Sequence, residues 1–304
     1  MSKMKLKNKL LVTDIDSIKT LLEKESVSSE LYHHSMKDST VYNFEHDAYV
    51  LEEYKKNLAG LNILVFLSTQ ESAKLKEEFS SFVDVKEELS YSKEYLKLFG
   101  NPKRYEFELN DVFKKCDSVG LTRMDLHFQG GMSSEKVFRV LLYRLNQIFS
   151  IYFQEYLEYQ KDYELLLNSL KKLQMALHIA KALFSKRVIK TLLKDLQDMY
   201  MLINHFDKFE MYLFNFEAFI QDTENFYTHK KSHKPIYFFI QEQIENSLQK
   251  AYEAQAYIDT RSGINREFLQ SIEEIMFMLE YFSSLLPPAQ KKEILAKVQK
   301  LKRS

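Results

Sequence analysis

The sequence predicts a mainly α protein, with a C-terminal helical bundle preceded by a smaller α+β domain. Three observations predict it. Apolar residues recur at alternating three- and four-residue spacing in several long stretches after Met132. Strand-like alternation and a continuous apolar run of strand length fall before it. Five of the six glycines (Gly60, Gly100, Gly120, Gly130 and Gly131) also precede Met132, and only Gly263 follows. The Gly130–Gly131 pair is the expected hinge, so the α+β domain is assigned to 1–130 and the bundle to 132–304.

In the first domain, Lys5, Lys7 and Lys9 alternate with Leu6 and Leu10 in an expected opening strand. Asp14 or Asp16 is placed as the cap of a short helix carrying Ile18, Leu21 and Leu22. NILVFLS (62–68) reads as the clearest strand, on its continuous apolar run. KRYEFEL (103–109) sets Tyr105, Phe107 and Leu109 against Arg104, Glu106 and Glu108. RMDLHF (123–128) sets Met124, Leu126 and Phe128 against Arg123, Asp125 and His127, so both read as strands. Short helices are expected at 71–79 and 90–98.

The bundle opens with a helix over 134–159, capped by Ser133 or Ser134, with Val137, Leu141, Leu145, Ile148 and Tyr152 inward. Leu166, Leu170, Leu173, Leu177, Ala180 and Phe184 form the next stripe. Ile189, Leu192, Leu196, Met199, Ile203 and Phe206 form a third. Helices near 212–227 and over 236–258 follow, the latter with Pro235 at its first turn. Phe268, Ile272, Ile275, Leu279, Phe282 and Leu286 make a further stripe, which Pro287–Pro288 ends before a short last helix. Long helices with short connectors pack as antiparallel neighbours.

Composition excludes several classes. The chain has 43 Lys/Arg and 43 Asp/Glu, whereas a dedicated nucleic-acid binder carries a basic excess. A single cysteine, Cys116, allows no internal disulfide and is expected to be a half-buried structural thiol in a reducing compartment. No apolar run approaches the roughly 20 residues of a membrane span, and the apolar run in MSKMKLKNKLLV is too short for a secretory signal. A cytoplasmic protein without a membrane partner is therefore expected. The 23 Phe and 19 Tyr read first as packing, and the aromatic run from Phe206 to Tyr227 reads as core packing with a partner surface as the alternative.

MSSEKVFRVLLYRLNQIF, DYELLLNSLKKLQMALHIAKALF (162–184) and FLQSIEEIMFMLEYFSSLLPP, with its LEYFSSLLPP (279–288), resemble helices of CHAD domains in order and spacing. The resemblance covers about residues 132–304. It implies two related four-helix units around a basic surface that binds inorganic polyphosphate. Asn168 takes the family's histidine position, Lys171 and His178 match two basic positions, and Met175 falls on another. In the second half Arg266 stands at the histidine position, while Leu269, Glu273 and Met276 occupy three basic ones. The region holds 24 Lys/Arg against 21 Asp/Glu, little excess for a polyanion. The N-terminal part resembles a reduced CYTH domain. Lys5 and Lys7 then stand in the places of glutamates, Lys9 matches a lysine, and Glu106 and Glu108 match acidic residues of a later strand.

These readings imply a non-catalytic CHAD-type protein that binds polyphosphate or another polyanion through Lys171, His178, Lys186, Arg187, Lys190 and Arg266. Lys194, the HKKSHK loop (229–234) and the tail (Lys291, Lys292, Lys297, Lys300, Lys302, Arg303) are further basic clusters, each of which also reads as an ordinary solvated face. A helical protein–protein interaction scaffold that has lost the anion site is the alternative. The second alternative is a residual CYTH-type triphosphate hydrolase using Lys5, Lys7, Lys9, Glu106 and Glu108. Lysines in place of carboxylates would remove metal ligands from such a site. No metal site is expected: His229 and His233 are four apart and His33–His34 adjacent, without further ligands at recognised spacing. No cofactor-binding or nucleophile motif is present.

Overall fold

A computed structural model describes residues 8–12, 28–36, 39–45, 49–55, 58–66, 82–84, 91, 93–118, 126–201, 206–222, 234–258 and 266–303. It is mainly α, with a helical C-terminal region preceded by a smaller α+β part. The chain divides into two compact units, Met1–Glu106 and Phe107–Ser304. This boundary falls earlier than the expected Gly130–Gly131 hinge. The helix at Leu109–Ser118 explains the difference, because Phe113 stacks on Tyr143 at 4.3 Å and so joins the bundle core.

In the first unit, β1 (Asn8–Val12), β2 (Ser28–Met36), β3 (Ser39–Glu45), β4 (Tyr49–Tyr54), β5 (Asn62–Phe66) and β6 (Phe82–Asp84) form an antiparallel sheet in the order β2-β3-β4-β5-β1-β6. Strand β5 is central. Ile63 and Val65 pack with Leu11, Tyr54 and Leu96, and the alternate residues Leu64 and Phe66 are buried as well. Burial on both faces explains its unbroken apolar run. Helix α1 (Lys93–Phe99) supplies Leu96 to this core.

The expected strand at 103–109 is not formed. Asn101 caps a 3-10 turn at Pro102–Arg104 by accepting from the Lys103 amide at 3.1 Å. The Tyr105 and Glu106 amides both donate to the Pro102 carbonyl at 2.9 Å. Donors that a strand would offer to a neighbour are therefore consumed locally. The Glu108 carbonyl then accepts from the Val112 amide at the first turn of α2 (Leu109–Ser118). At 126–128 the chain is likewise no strand, and Phe128 instead packs on Phe282 at 5.7 Å. The opening strand lies at Asn8–Val12, so Lys9 belongs to it while Lys5 and Lys7 lie outside the described residues. So do the expected helix after Asp14, the one at 71–79, and Arg123, Met124 and Asp125.

The second unit contains α2 and then α3 (Ser134–Tyr159), α4 (Tyr163–Ala180), α5 (Lys186–Met201), α6 (Phe206–Ile220), α7 (Ile236–Ile258), α8 (Arg266–Phe282) and α9 (Pro288–Arg303). Helix α3 packs on α4, α5 on α6 and α7 on α8. Two further contacts, α3 on α7 and α4 on α8, set the α3–α4 and α7–α8 hairpins side by side. Their entrances are tied together: the Ser134 amide donates to the Lys234 carbonyl at 3.0 Å, and the Ile236 amide to the Met132 carbonyl at 2.8 Å. Among the described residues the first half shows four helices, α3–α6, and the second three, α7–α9. Helix α9 has 16 residues, longer than the short terminal helix expected.

Every residue of the α4 stripe, Leu166 through Phe184, is buried. Each fully buried leucine or phenylalanine contributes roughly 1.5–3 kcal/mol by leaving water, so such stripes carry much of the bundle's stability. In the aromatic run of α6, Phe209, Tyr212, Phe216 and Phe219 are core, whereas Phe214 is exposed, and Phe226 and Tyr227 lie outside the described residues. One charged residue sits among them. Arg139 of α3 is fully buried, pairs with Glu135, and donates to the carbonyls of Phe219 and Ile220 at the end of α6. It also reaches Asp222 at 3.4 Å. Its guanidinium thus satisfies carbonyls that a helix end leaves unpaired.

Candidate functional site: a cleft between α4–α5 and α8–α9

Side chains three and four apart on a helix share a face. Asn168, Lys171, Met175 and His178 are so spaced on α4, and Arg266, Leu269, Glu273 and Met276 on α8. All eight line one cleft of about 1300 Å³. Helix α5 adds Leu193, Gln197, Tyr200 and Met201, and α9 adds Lys291 and Leu295. Three of the six residues expected to bind a polyanion, Lys171, His178 and Arg266, are thus brought together. The other three are not. Lys186, Arg187 and Lys190 stand exposed on the first turns of α5, before the cleft wall begins at Leu193.

His178 is engaged by its neighbours. Its Nε2 lies 3.2 Å from Oε1 of Glu274, which is buried on α8. The other carboxylate oxygen, Oε2, accepts from Ser247 Oγ of α7 at 2.7 Å. Gln270 Nε2 approaches Glu274 Oε1 at 3.3 Å. Burial opposes ionisation of Glu274, but hydrogen bonds from His178 and Ser247, with the charges of His178 and Lys250, pull its carboxyl down to about 2. The carboxylate therefore fastens α4, α7 and α8 behind the cleft wall.

Lys172 is also partnered, with Nζ 2.7 Å from Glu280 Oε1 and 5.6 Å from the centre of the Tyr281 ring. Among the described residues Lys171, Arg266 and Lys291 have no acidic partner, and Glu273 opposes them in the same cleft. The rest of the lining mixes the amides of Asn168, Gln174, Gln197 and Gln270 with apolar side chains, several of them open to solvent. Met201 is 73% exposed, Tyr200 47%, Leu269 47% and Met276 41%, high values for large apolar side chains gathered in one concavity.

Sequence reasoning missed Lys172, Glu280, Lys291, Tyr200 and Met201 as cleft residues. For Glu280 the signal was present, since it extends the Leu269–Glu273–Met276 series at helical spacing. Lys291 reaches the cleft only through the packing of α9, which no local pattern reveals.

Outside the cleft, a cavity of about 830 Å³ lies among α2, α3 and α6. There Asp117 accepts from Tyr143 Oη and Gln147 Nε2, both at 2.7 Å. Burial and Asp117 push the Tyr143 phenol up to about 12. Cys116 beside them is fully buried rather than half-buried, and burial raises its thiol pKa, the opposite of nucleophilic activation.

Glu106 and Glu108 are exposed, but with no strand at 103–109 they do not share a strand face, and they belong to different units. Tyr91 Oη donates to Glu106 at 3.4 Å. His229 and His233 lie outside the described residues, as do the side chains of His33 and His34. Among the described residues no group of three or more His, Cys, Asp or Glu is placed to hold a metal, and no helix is long and apolar enough to cross a membrane. Of the HKKSHK loop only Lys234 is described, paired with Glu242. In the tail, Lys297 pairs with Glu293 at 2.7 Å.

No family model matches the chain, and neither a curated protein nor a solved structure does so.

Proposed function

We propose that this chain is a non-catalytic, cytoplasmic helical binding protein of the CHAD type whose α4–α5/α8–α9 cleft docks a segment of a protein partner. The observation carrying this reading is the exposure of Tyr200, Met201, Leu269 and Met276 in one concavity. Apolar surface of this kind is stabilised when a partner removes it from water, and methionines adapt to varied partners. Selection of a random peptide library on the immobilised full chain tests it. Peptides should be recovered whose binding is lost on Met276→Glu. Recovery of none, or only of peptides indifferent to that substitution, rejects the reading.

A second reading, polyphosphate or another polyanion, is favoured by a specific observation: Lys171, Lys172, Arg266 and Lys291 come from three helices to one cleft. It is weakened by Glu273, by the Lys172–Glu280 pair and by the engagement of His178 with Glu274. Titration with long-chain polyphosphate at two salt concentrations tests it, because phosphate neutralisation is strongly salt-dependent. Absence of binding at low salt removes it.

A further inference from the structure

We infer that the segment the cleft accepts is about two turns of an acidic amphipathic helix. This rests on the docking reading above and adds the chemistry of the partner.

Size comes first. Small-molecule sites enclose about 300–1000 Å³, and this cleft of about 1300 Å³ exceeds them and is open to solvent. A helix about 10–12 Å across, rising 5.4 Å per turn, fills roughly 1000 Å³ with two turns. Two turns also present anchors at i, i+3 or i+4, and i+7, the pattern by which helices seat in apolar grooves.

The lining comes next. Met201 on α5 and Leu269 and Met276 on α8 all line the cleft, and all three are substantially exposed. A polyphosphate chain makes no use of these three side chains, and its oxygens laid against them would exchange water for groups that cannot donate hydrogen bonds, leaving it only the amides and cations elsewhere in the lining. An apolar helix face gains from the same walls.

Charge then selects among helices. Lys171, Arg266 and Lys291 are contributed by α4, α8 and α9, and among the described residues none has an acidic partner. With Lys172 and Glu280 cancelling one another, Glu273 is the one opposing charge left in the lining. Carboxylates flanking an apolar stripe complement this rim, whereas lysines there are repelled.

The test uses the full chain and three probes: a fluorescein-labelled amphipathic peptide of about 14 residues with leucines at 4-3-4 spacing flanked by glutamates, its twin with lysines replacing the glutamates, and long-chain polyphosphate. Fluorescence anisotropy reads the peptides. The acidic peptide should bind about tenfold or more tightly than its twin, with the gap shrinking as salt rises. Lys171→Glu with Arg266→Glu should reverse the preference, and Leu269→Asp should weaken both peptides. Unchanged urea midpoints confirm that these surface variants fold. Equal binding of the two peptides that is still lost on Met276→Glu would overturn the acidic assignment and leave the docking reading standing. No binding by either peptide, with library selection also empty, overturns both. Polyphosphate binding that Leu269→Asp leaves unchanged, without peptide binding, overturns the inference in favour of a polyanion.

Discussion

Glu274 offers the most direct test of how the cleft is held. Its carboxyl titrates at about 2 because His178 and Ser247 hydrogen-bond the ionised form. Relative to an ordinary carboxylate near 4.3, a fall of that size corresponds to about 3 kcal/mol of folding stability. The side chain is only 8% exposed, so solvent screening takes little from this figure. The sign follows from linkage. A depressed folded-state pKa gives stability that is complete above the unfolded value and is lost as pH falls through about 2. Glu274→Gln keeps the shape and removes the charge. Urea unfolding followed by circular dichroism should show a loss of about 2–3 kcal/mol at pH 7, shrinking toward zero as pH approaches 2. His178→Gln should cost less, since Ser247 still hydrogen-bonds the carboxylate, and the double variant should cost well under the sum of the two. A deficit for Glu274→Gln that is the same at pH 7 and pH 2.5, or additive effects in the cycle, would refute the reasoning.

Three further outcomes are expected. Arg139→Ala should destabilise the bundle by about 3–5 kcal/mol, because it strips the buried Glu135 and the Phe219 and Ile220 carbonyls of a donor; a urea midpoint within the error of wild type contradicts this. Gln160 ends α3 with φ at 54°, in the left-handed region that glycine tolerates best, so Gln160→Gly should raise stability by up to about 1 kcal/mol, and a lower melting temperature would count against it. Phosphate-release assays with triphosphate and magnesium or manganese should show no turnover that Glu106→Gln or Glu108→Gln abolishes, since the chain at 103–109 forms no strand to align those carboxylates; turnover lost with either residue restores the hydrolase reading.

Most helices of the bundle were legible because their cause is local, although α6 runs from Phe206 to Ile220 rather than near 212–227, and Phe206 opens it instead of closing the Ile189 stripe. Spacing of three and four residues puts Leu166, Leu170, Leu173 and Leu177 on one side of a cylinder whatever else surrounds it, and that side is the buried one. The same rule placed Asn168, Lys171, Met175 and His178 on a common face, as it did Arg266, Leu269, Glu273 and Met276. Alternation was a weaker guide. Tyr105 is buried between the exposed Arg104 and Glu106, as in a strand, yet Pro102 opens a turn that consumes the amides a sheet requires. Period-two burial reports which side chains find a core, not which backbone groups find a partner.

Sequence alone therefore determined the helical class, most of the buried stripes (in α3, Phe149 and Phe153 take the core places expected of Ile148 and Tyr152) and the two faces that line the cleft, because each depends on intervals within one helix. Tertiary packing decided the rest. It brought Lys291 into the cleft that Arg266 also lines, gave Lys172 to Glu280, turned His178 onto a carboxylate of another helix, and left Lys186, Arg187 and Lys190 outside the cleft. Those outcomes depend on the rotation and docking of whole helices, set by the summed burial of many side chains and encoded in no single interval along the chain.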